Sequence, residues 1–171
     1  MQSEVYLGLG SNLGNRAANI ARAVDALRDT ANDVVVSSLY ETAPIGFSAQ
    51  PPFLNAACGI WTRQTPFELL AILNRIQQTI GGHSAFINGP RAIDLDILVC
   101  GRMVIETPAL TIPHPRMADR KFVLTPLAEI APGLVHPVLK QTVPTLLDGI
   151  AGRVASGILL ARLLEPKLKT L

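Results

Sequence analysis

At 171 residues, 49% hydrophobic and 16% charged, the chain has the length of one ordinary domain, enough apolar surface for a core and too little charge for a disordered polypeptide. Its net charge of +2 gives no argument for a nucleic-acid partner, and no apolar run reaches the roughly 18–20 residues of a membrane span. Cys58 and Cys100 are the only cysteines, each in an apolar setting, and read as buried thiols rather than a disulfide or a metal site.

Val5–Gly10 (VYLGLG) reads as a first strand. Asn15 caps a helix whose apolar positions Ile20, Val24 and Leu27 recur at helical spacing. The β-branched stretch from Val34 to Thr42 is a predicted second strand, and PPFLNAACGIWT (residues 51–62) a third. Thr65-Pro66-Phe67-Glu68 opens a helix with a cap, a first-turn proline and an acid three residues after the cap. That helix continues through Leu69, Leu73, Ile76 and Ile80 and stops at Gly81-Gly82. Ala92–Val99 is a predicted fourth strand. Thr125-Pro126 opens a short helix that Pro132 ends, Pro144–Ile150 forms another, and residues 153–171 are expected as an extra C-terminal amphipathic helix. The order β-α-β-β-α-β predicts an α+β, ferredoxin-like fold, a mainly antiparallel sheet with helices on one face, in one domain over residues 1–171.

The most informative chemistry is Asp94 and Asp96 in I-D-L-D-I. Side chains alternate along a strand, so both carboxylates emerge on one face while Ile93, Leu95 and Ile97 take the other. Two like charges so close invite a cation, and hard oxygen ligands on a rigid strand suit Mg²⁺. Solvent-facing acids on an open sheet would give the same pattern; the neighbours shift the balance towards a site. Asn88-Gly89-Pro90-Arg91 sets an arginine at the strand's beginning, and prolines stiffen the backbone around His114 in Thr111-Ile112-Pro113-His114-Pro115-Arg116. With Arg120 following, the set has carboxylates for metal and arginine and histidine for phosphate oxygens.

Phe53 and Asn55 share a face of the third strand, offering a ring to stack on and a carboxamide for a heterocycle's edge, and Phe122 is a second ring. Taken alone, both phenylalanines read as core. Gly8-Leu9-Gly10-Ser11-Asn12-Leu13-Gly14 imitates a dinucleotide fingerprint, but its last glycine is one residue late and no second βαβ unit accompanies it. No Gly-Lys-Ser/Thr follows, so it is no P-loop either.

Taken in order, LGLGSNLGNR, SSLYETAPIG with PPFLNAA, NGPRAIDLDIL and LTIPHPRMADRKFVLTPLAEIAP resemble the 6-hydroxymethyl-7,8-dihydropterin pyrophosphokinase family over roughly Tyr6 to Pro132. The resemblance implies a ferredoxin-like fold that transfers pyrophosphate from ATP to a hydroxymethyl-dihydropterin, with two Mg²⁺ ions held by Asp94 and Asp96. It implies Thr42, Ala43, Pro44 and Ile45 along the pterin edge, Asn55 bonded to it, and Phe53 and Phe122 around it. Arg91, His114 and Arg120 would meet the triphosphate, with Ile97, Leu110 and Thr111 towards adenine and ribose, and Asn74 and Arg116 would also bind ATP. The implied partners are these small molecules, with no nucleic acid and no membrane. The expected state is a monomer or weak homodimer, and the N-terminal MQSEVYLGLG, without a secretory pattern, predicts a cytoplasmic location.

One stretch departs from the family. Gln77 stands where the family has Glu, Gly82 and Ser84 where it has arginines, and Ile87 where it has a further basic residue. Gln77 keeps hydrogen bonding but loses the charge. Losing a transition-state arginine costs on the order of 10³-fold where that residue is critical. A catalytically weak pterin- or nucleotide-binding homologue is therefore the alternative reading. A third, from D-x-D alone, is a Mg²⁺-dependent phosphohydrolase, which would leave the Phe53/Asn55 pocket without a purpose.

Overall fold

The computed structural model describes residues 2–44, 49–81, 89–151 and 161–162. Four long stretches carry the frame: strand β1 (Ser3–Ser11), helix α1 (Arg16–Arg28), strand β4 (Phe53–Thr62) and helix α2 (Pro66–Gly81). Between α1 and β4 lie the shorter β2 (Asn32–Val36) and β3 (Tyr40–Thr42). After α2 come β5 (Asp94–Cys100), a small hairpin of β6 (Ile105–Glu106) and β7 (Thr111–Ile112), a 3-10 turn at Met117–Asp119, then α3 (Lys121–Ile130) and α4 (Val143–Ala151). The main sheet runs β5-β1-β4-β3, entirely antiparallel, with β2 also on β4. This is the predicted ferredoxin-like α+β arrangement.

Both helix starts form as their sequences dictate. Asn15 Oδ1 accepts from the Ala18 N–H at 3.1 Å. Thr65 and Glu68 close a reciprocal box, with Thr65 N–H and Oγ1 donating to Glu68 Oε2 at 2.7 and 2.8 Å. Helices α1 and α2 share one face of the sheet, and Val5, Leu7, Leu9, Leu54, Ala56, Cys58, Ile60, Leu95 and Ile97 meet them there in one apolar cluster. The opposite face is half covered: α3 lies across β4, α4 packs on α3, and Tyr6, Ala57, Leu98, Val99, Leu124 and Leu127 form a second cluster between them.

Two expectations change. The single strand predicted from Val34 to Thr42 is two, broken at Ser37–Leu39. The Ser37 hydroxyl accepts from the Ala57 N–H at 2.9 Å, while Ser38 N–H and Oγ and the Tyr40 hydroxyl all donate to Glu129 on α3 at 3.1, 2.8 and 2.7 Å. That carboxylate draws the chain out of the ladder. The helix expected to open at Thr125-Pro126 begins at Lys121 and carries Pro126 inside it. The missing N–H forfeits one helical bond, and burying Val123, Leu124 and Leu127 against the sheet offsets it. The expected tail helix lies outside the described residues except for Ala161–Arg162, which pair as strand β8 with β3.

Candidate active site

The half of that second face that no described helix covers is where the chemistry gathers. In β1, Gly10 lies opposite Asn55 of β4 on one side and Asp94 of β5 on the other; in the next rung Gly8 lies opposite Ala57 and Asp96. Flanking strands two spacings apart stand about 10 Å from each other. The central strand puts no side chain between them, so a slot opens over bare backbone. A Cβ on Gly10 would narrow it, crowding Asn55 Oδ1 at 3.3 Å and touching Phe53 at 3.7 Å. The result is a cleft of about 150 Å³, walled by Thr42, Ala43, Phe53 and Asn55 on one flank and Arg91, Asp94, Asp96 and His114 on the other, with Arg116, Arg120 and Phe122 from the far edge.

The carboxylates carry unusual electrostatics. Burial, and then the Asp96 charge, raises the Asp94 pKa, against the Arg91 guanidinium that bonds Asp94 Oδ2 at 2.9 Å. Burial also raises Asp96, opposed by Arg120, Arg91 and Arg116. Two neighbouring acids held reluctant to ionise are poised to accept a cation. Among the described residues no group of three or more His, Cys, Asp or Glu side chains could hold a metal. Among the described residues the cleft thus offers two carboxylates, Asp94 and Asp96, a donor set that would fit Mg²⁺ sharing its shell with water and phosphate oxygens. His114 is pushed down to about 4, first by burial and then by Arg120 and Arg116. Its Nδ1 accepts from the Arg116 N–H at 3.1 Å, which leaves Nε2 as the protonated nitrogen, 4.0 Å from Asp96 Oδ2. Near neutral pH it is a neutral donor.

The other flank suits a flat ring. Asn55 Nδ2 donates to Thr42 Oγ1 at 2.8 Å, so the amide is oriented before any ligand arrives and its Oδ1 is left towards Gly10. Each phenyl ring has an arginine over its face, Arg91 at 5.9 Å from the Phe53 centroid and Arg120 at 5.5 Å from that of Phe122. Asn12, 2% exposed, holds the two flanks in register. Its Oδ1 accepts from the Arg91 N–H at 2.8 Å, and its Nδ2 donates to Gln50 Oε1 and Pro51 O at 2.9 and 3.1 Å, just ahead of Phe53.

Eleven of the expected site residues therefore line one cleft: Thr42, Ala43, Phe53, Asn55, Arg91, Asp94, Asp96, His114, Arg116, Arg120 and Phe122. Pro44 stands outside its lining, and Ile45 lies outside the described residues, as do Gly82, Ser84 and Ile87. Asn74 is exposed on α2, Ile97 and Leu110 are buried in the core, and Thr111 borders a second hollow of about 620 Å³ that shares His114 with the cleft. Sequence reasoning missed Gly8, Gly10 and Asn12. The glycine spacing was tested only as a nucleotide fingerprint, whereas glycines two apart in a strand mark one face kept clear of side chains.

The family model of 7,8-dihydro-6-hydroxymethylpterin-pyrophosphokinase (HPPK) matches residues 6–132. The chain belongs to the HPPK family. It is 47% identical over 132 residues to the 2-amino-4-hydroxy-6-hydroxymethyldihydropteridine pyrophosphokinase of Bacillus subtilis, covering 76% of this chain and 79% of that one. It is 42% identical over 147 residues to a folic acid synthesis protein of Pneumocystis carinii, covering 85% of this chain but only 20% of the fungal one. A solved HPPK-DHPS structure from Plasmodium falciparum, wild type with pterin and p-hydroxybenzoate, shares the fold with a TM-score of 0.70 at 16% identity, over 90% of this chain and 42% of that one. The chain thus spans about a fifth of the fungal relative and under half of the solved one. The HPPK match ends before α4, so α4 and the tail lie beyond it.

Proposed function

We propose that this chain transfers pyrophosphate from ATP to the hydroxymethyl oxygen of 6-hydroxymethyl-7,8-dihydropterin, releasing AMP, as a step of folate synthesis. The pair of rungs carries the reading: a ring-sized gap over Gly10 has Asn55 on one side and Asp94 on the other. A flat ring seated there directs a one-carbon arm at the carboxylates. Phe53 and Phe122 stack on the ring, Asn55 Oδ1 accepts from its N–H edge, and Thr42, Ala43, Pro44 and Ile45 follow that edge. Asp94 and Asp96 hold Mg²⁺, two ions in this reading, which when bound screen the phosphate charge and make the attacking oxygen more acidic. Arg91, Arg116 and Arg120 take the triphosphate oxygens by their forked donors, and His114 adds an uncharged N–H. Asn74, Ile97, Leu110 and Thr111 serve the adenine and ribose end.

The activity is assigned to residues 1–171 as one domain, working as a monomer or weak homodimer in the cytoplasm. Two free, buried thiols suit a reducing compartment, and no helix among the described residues is long and apolar enough to cross a membrane. The weak-binder alternative rests on Gln77, Gly82, Ser84 and Ile87, of which the last three lie outside the described residues, and the HPPK match favours the enzyme. The test is AMP release from ATP with Mg²⁺, with and without the dihydropterin. AMP formed only when both are present supports the transfer; phosphate released from ATP without pterin would replace it with hydrolysis.

A further inference from the structure

Among the described residues the sheet ends at β5 on the side of the carboxylates, and an edge strand leaves alternate backbone groups without a ladder partner. Two are taken up from outside the sheet. The His114 N–H donates to Leu98 O at 2.8 Å. The Leu95 N–H, in the first of the two peptide groups between Asp94 and Asp96, donates to Gln77 Oε1 on α2 at 2.9 Å. Only the carbonyl end of the carboxamide can receive an N–H, so the orientation of Gln77 is settled by that bond. Its Nε2 turns away and donates to Asn74 Oδ1 at 3.3 Å. One turn further along α2, a Cβ on Gly81 would overlap the Ala92 methyl, so the end of the helix lies flush on the chain entering β5.

We infer that Gln77 is a positioning residue for the metal-binding carboxylates, acting through the Leu95 amide. The peptide planes on either side of Leu95 set the directions of the Asp94 and Asp96 side chains, and Mg²⁺ demands near-ideal ligand geometry at about 2.0–2.1 Å. The bond that Gln77 on a rigid helix accepts from the Leu95 N–H holds the Asp94–Leu95 plane directly, and the strand carries that constraint one residue on to Asp96. Outer groups of this kind typically change metal affinity by about 10–100-fold when removed. The neutral carboxamide does this without adding a third negative charge beside two acids that burial already disfavours. The inference rests on the proposed metal role of Asp94 and Asp96.

The test compares Gln77→Met, which keeps the shape without the acceptor, with Gln77→Glu, which keeps the acceptor. Leu95 amide hydrogen exchange is followed in the free protein, and Mn²⁺ affinity is measured by electron paramagnetic resonance with α,β-methylene-ATP present. Gln77→Met is expected to speed Leu95 exchange at least about tenfold, leave the Leu7 amide unchanged and weaken Mn²⁺ about tenfold. Gln77→Glu is expected to restore slow exchange and bind Mn²⁺ at least as tightly as the parent. Should Gln77→Met not fold, Gln77→Ala takes its place. Parental Mn²⁺ affinity in the Met variant, or equal weakening in the Glu variant, overturns the role of Gln77. A parent that binds Mn²⁺ yet forms no AMP overturns the transfer reaction and leaves this comparison standing; a parent that binds no Mn²⁺ overturns both.

Discussion

The two faces of the sheet are built from alternate residues of the same strands, yet they do opposite work. On one, Val5, Leu7 and Leu9 of β1 meet Leu54, Ala56 and Cys58 of β4 in a filled core under α1 and α2. On the other, the intervening Gly8 and Gly10 meet Asn55, Asp94 and Asp96, and no helix among the described residues closes over them. A one-residue step along β1 changes the consequence of a mutation from loss of stability to loss of chemistry. The fold can keep reluctant acids on one face because the hydrophobic stabilisation is supplied on the other.

The largest expected effect lies on the open face. Asp96→Ala removes one of the two proposed metal ligands and should lower AMP release by on the order of 10³-fold or more, with the circular dichroism spectrum unchanged; activity near the parental level would end the metal assignment. Leu7→Ala, one residue from Gly8 but on the filled face, should cost about 2–5 kcal/mol in denaturant unfolding and leave the pterin KM unaltered. Asn55→Ala removes the oriented carbonyl and should cost about 1–3 kcal/mol of pterin binding, measured by calorimetry, with ATP affinity little changed. Equal losses for both ligands would contradict a division of the cleft into ring and phosphate flanks. Gly10→Ala places a methyl 3.3 Å from Asn55 Oδ1 and should raise the pterin KM several-fold while melting stays near that of the parent.

The smallest effect is on stability without metal. The Asp96 carboxyl has its pKa raised in the fold, so its ionisation disfavours the folded state at any pH above that raised value, and the effect vanishes once the group is protonated in both states. Metal-free Asp96→Asn should therefore melt slightly higher than the parent near pH 7, with the gain fading as pH falls through the raised folded value and gone below about pH 3.9, the ordinary aspartate value. The side chain keeps 43% of its exposure, so water reduces the gain. A variant melting lower at neutral pH would mean that Asp96 is stabilised as an anion by Arg120 and its neighbours.

Local chemistry made much of this legible in the sequence. The Thr65/Glu68 box, the Asn15 cap and the alternation in β4 depend on residues a few positions apart, and each forms as its pattern predicts. The Asp94/Asp96 pair was readable because period-two alternation fixes a face without knowledge of the fold. The break between β2 and β3 was hidden because its cause, Glu129, lies some ninety residues downstream. The α3 start was hidden because proline near a helix opening is a local preference, overridden here by burial. The empty floor was hidden for another reason: it becomes visible only once β1 is known to lie between β4 and β5.

That floor has a consequence for inhibition. A compound pressed against the Gly8–Gly10 backbone contacts main chain, which substitution cannot trim. The protein could evade it only by growing a side chain there, and the same side chain would obstruct the natural ring. Escape from such a compound would have to come from the walls.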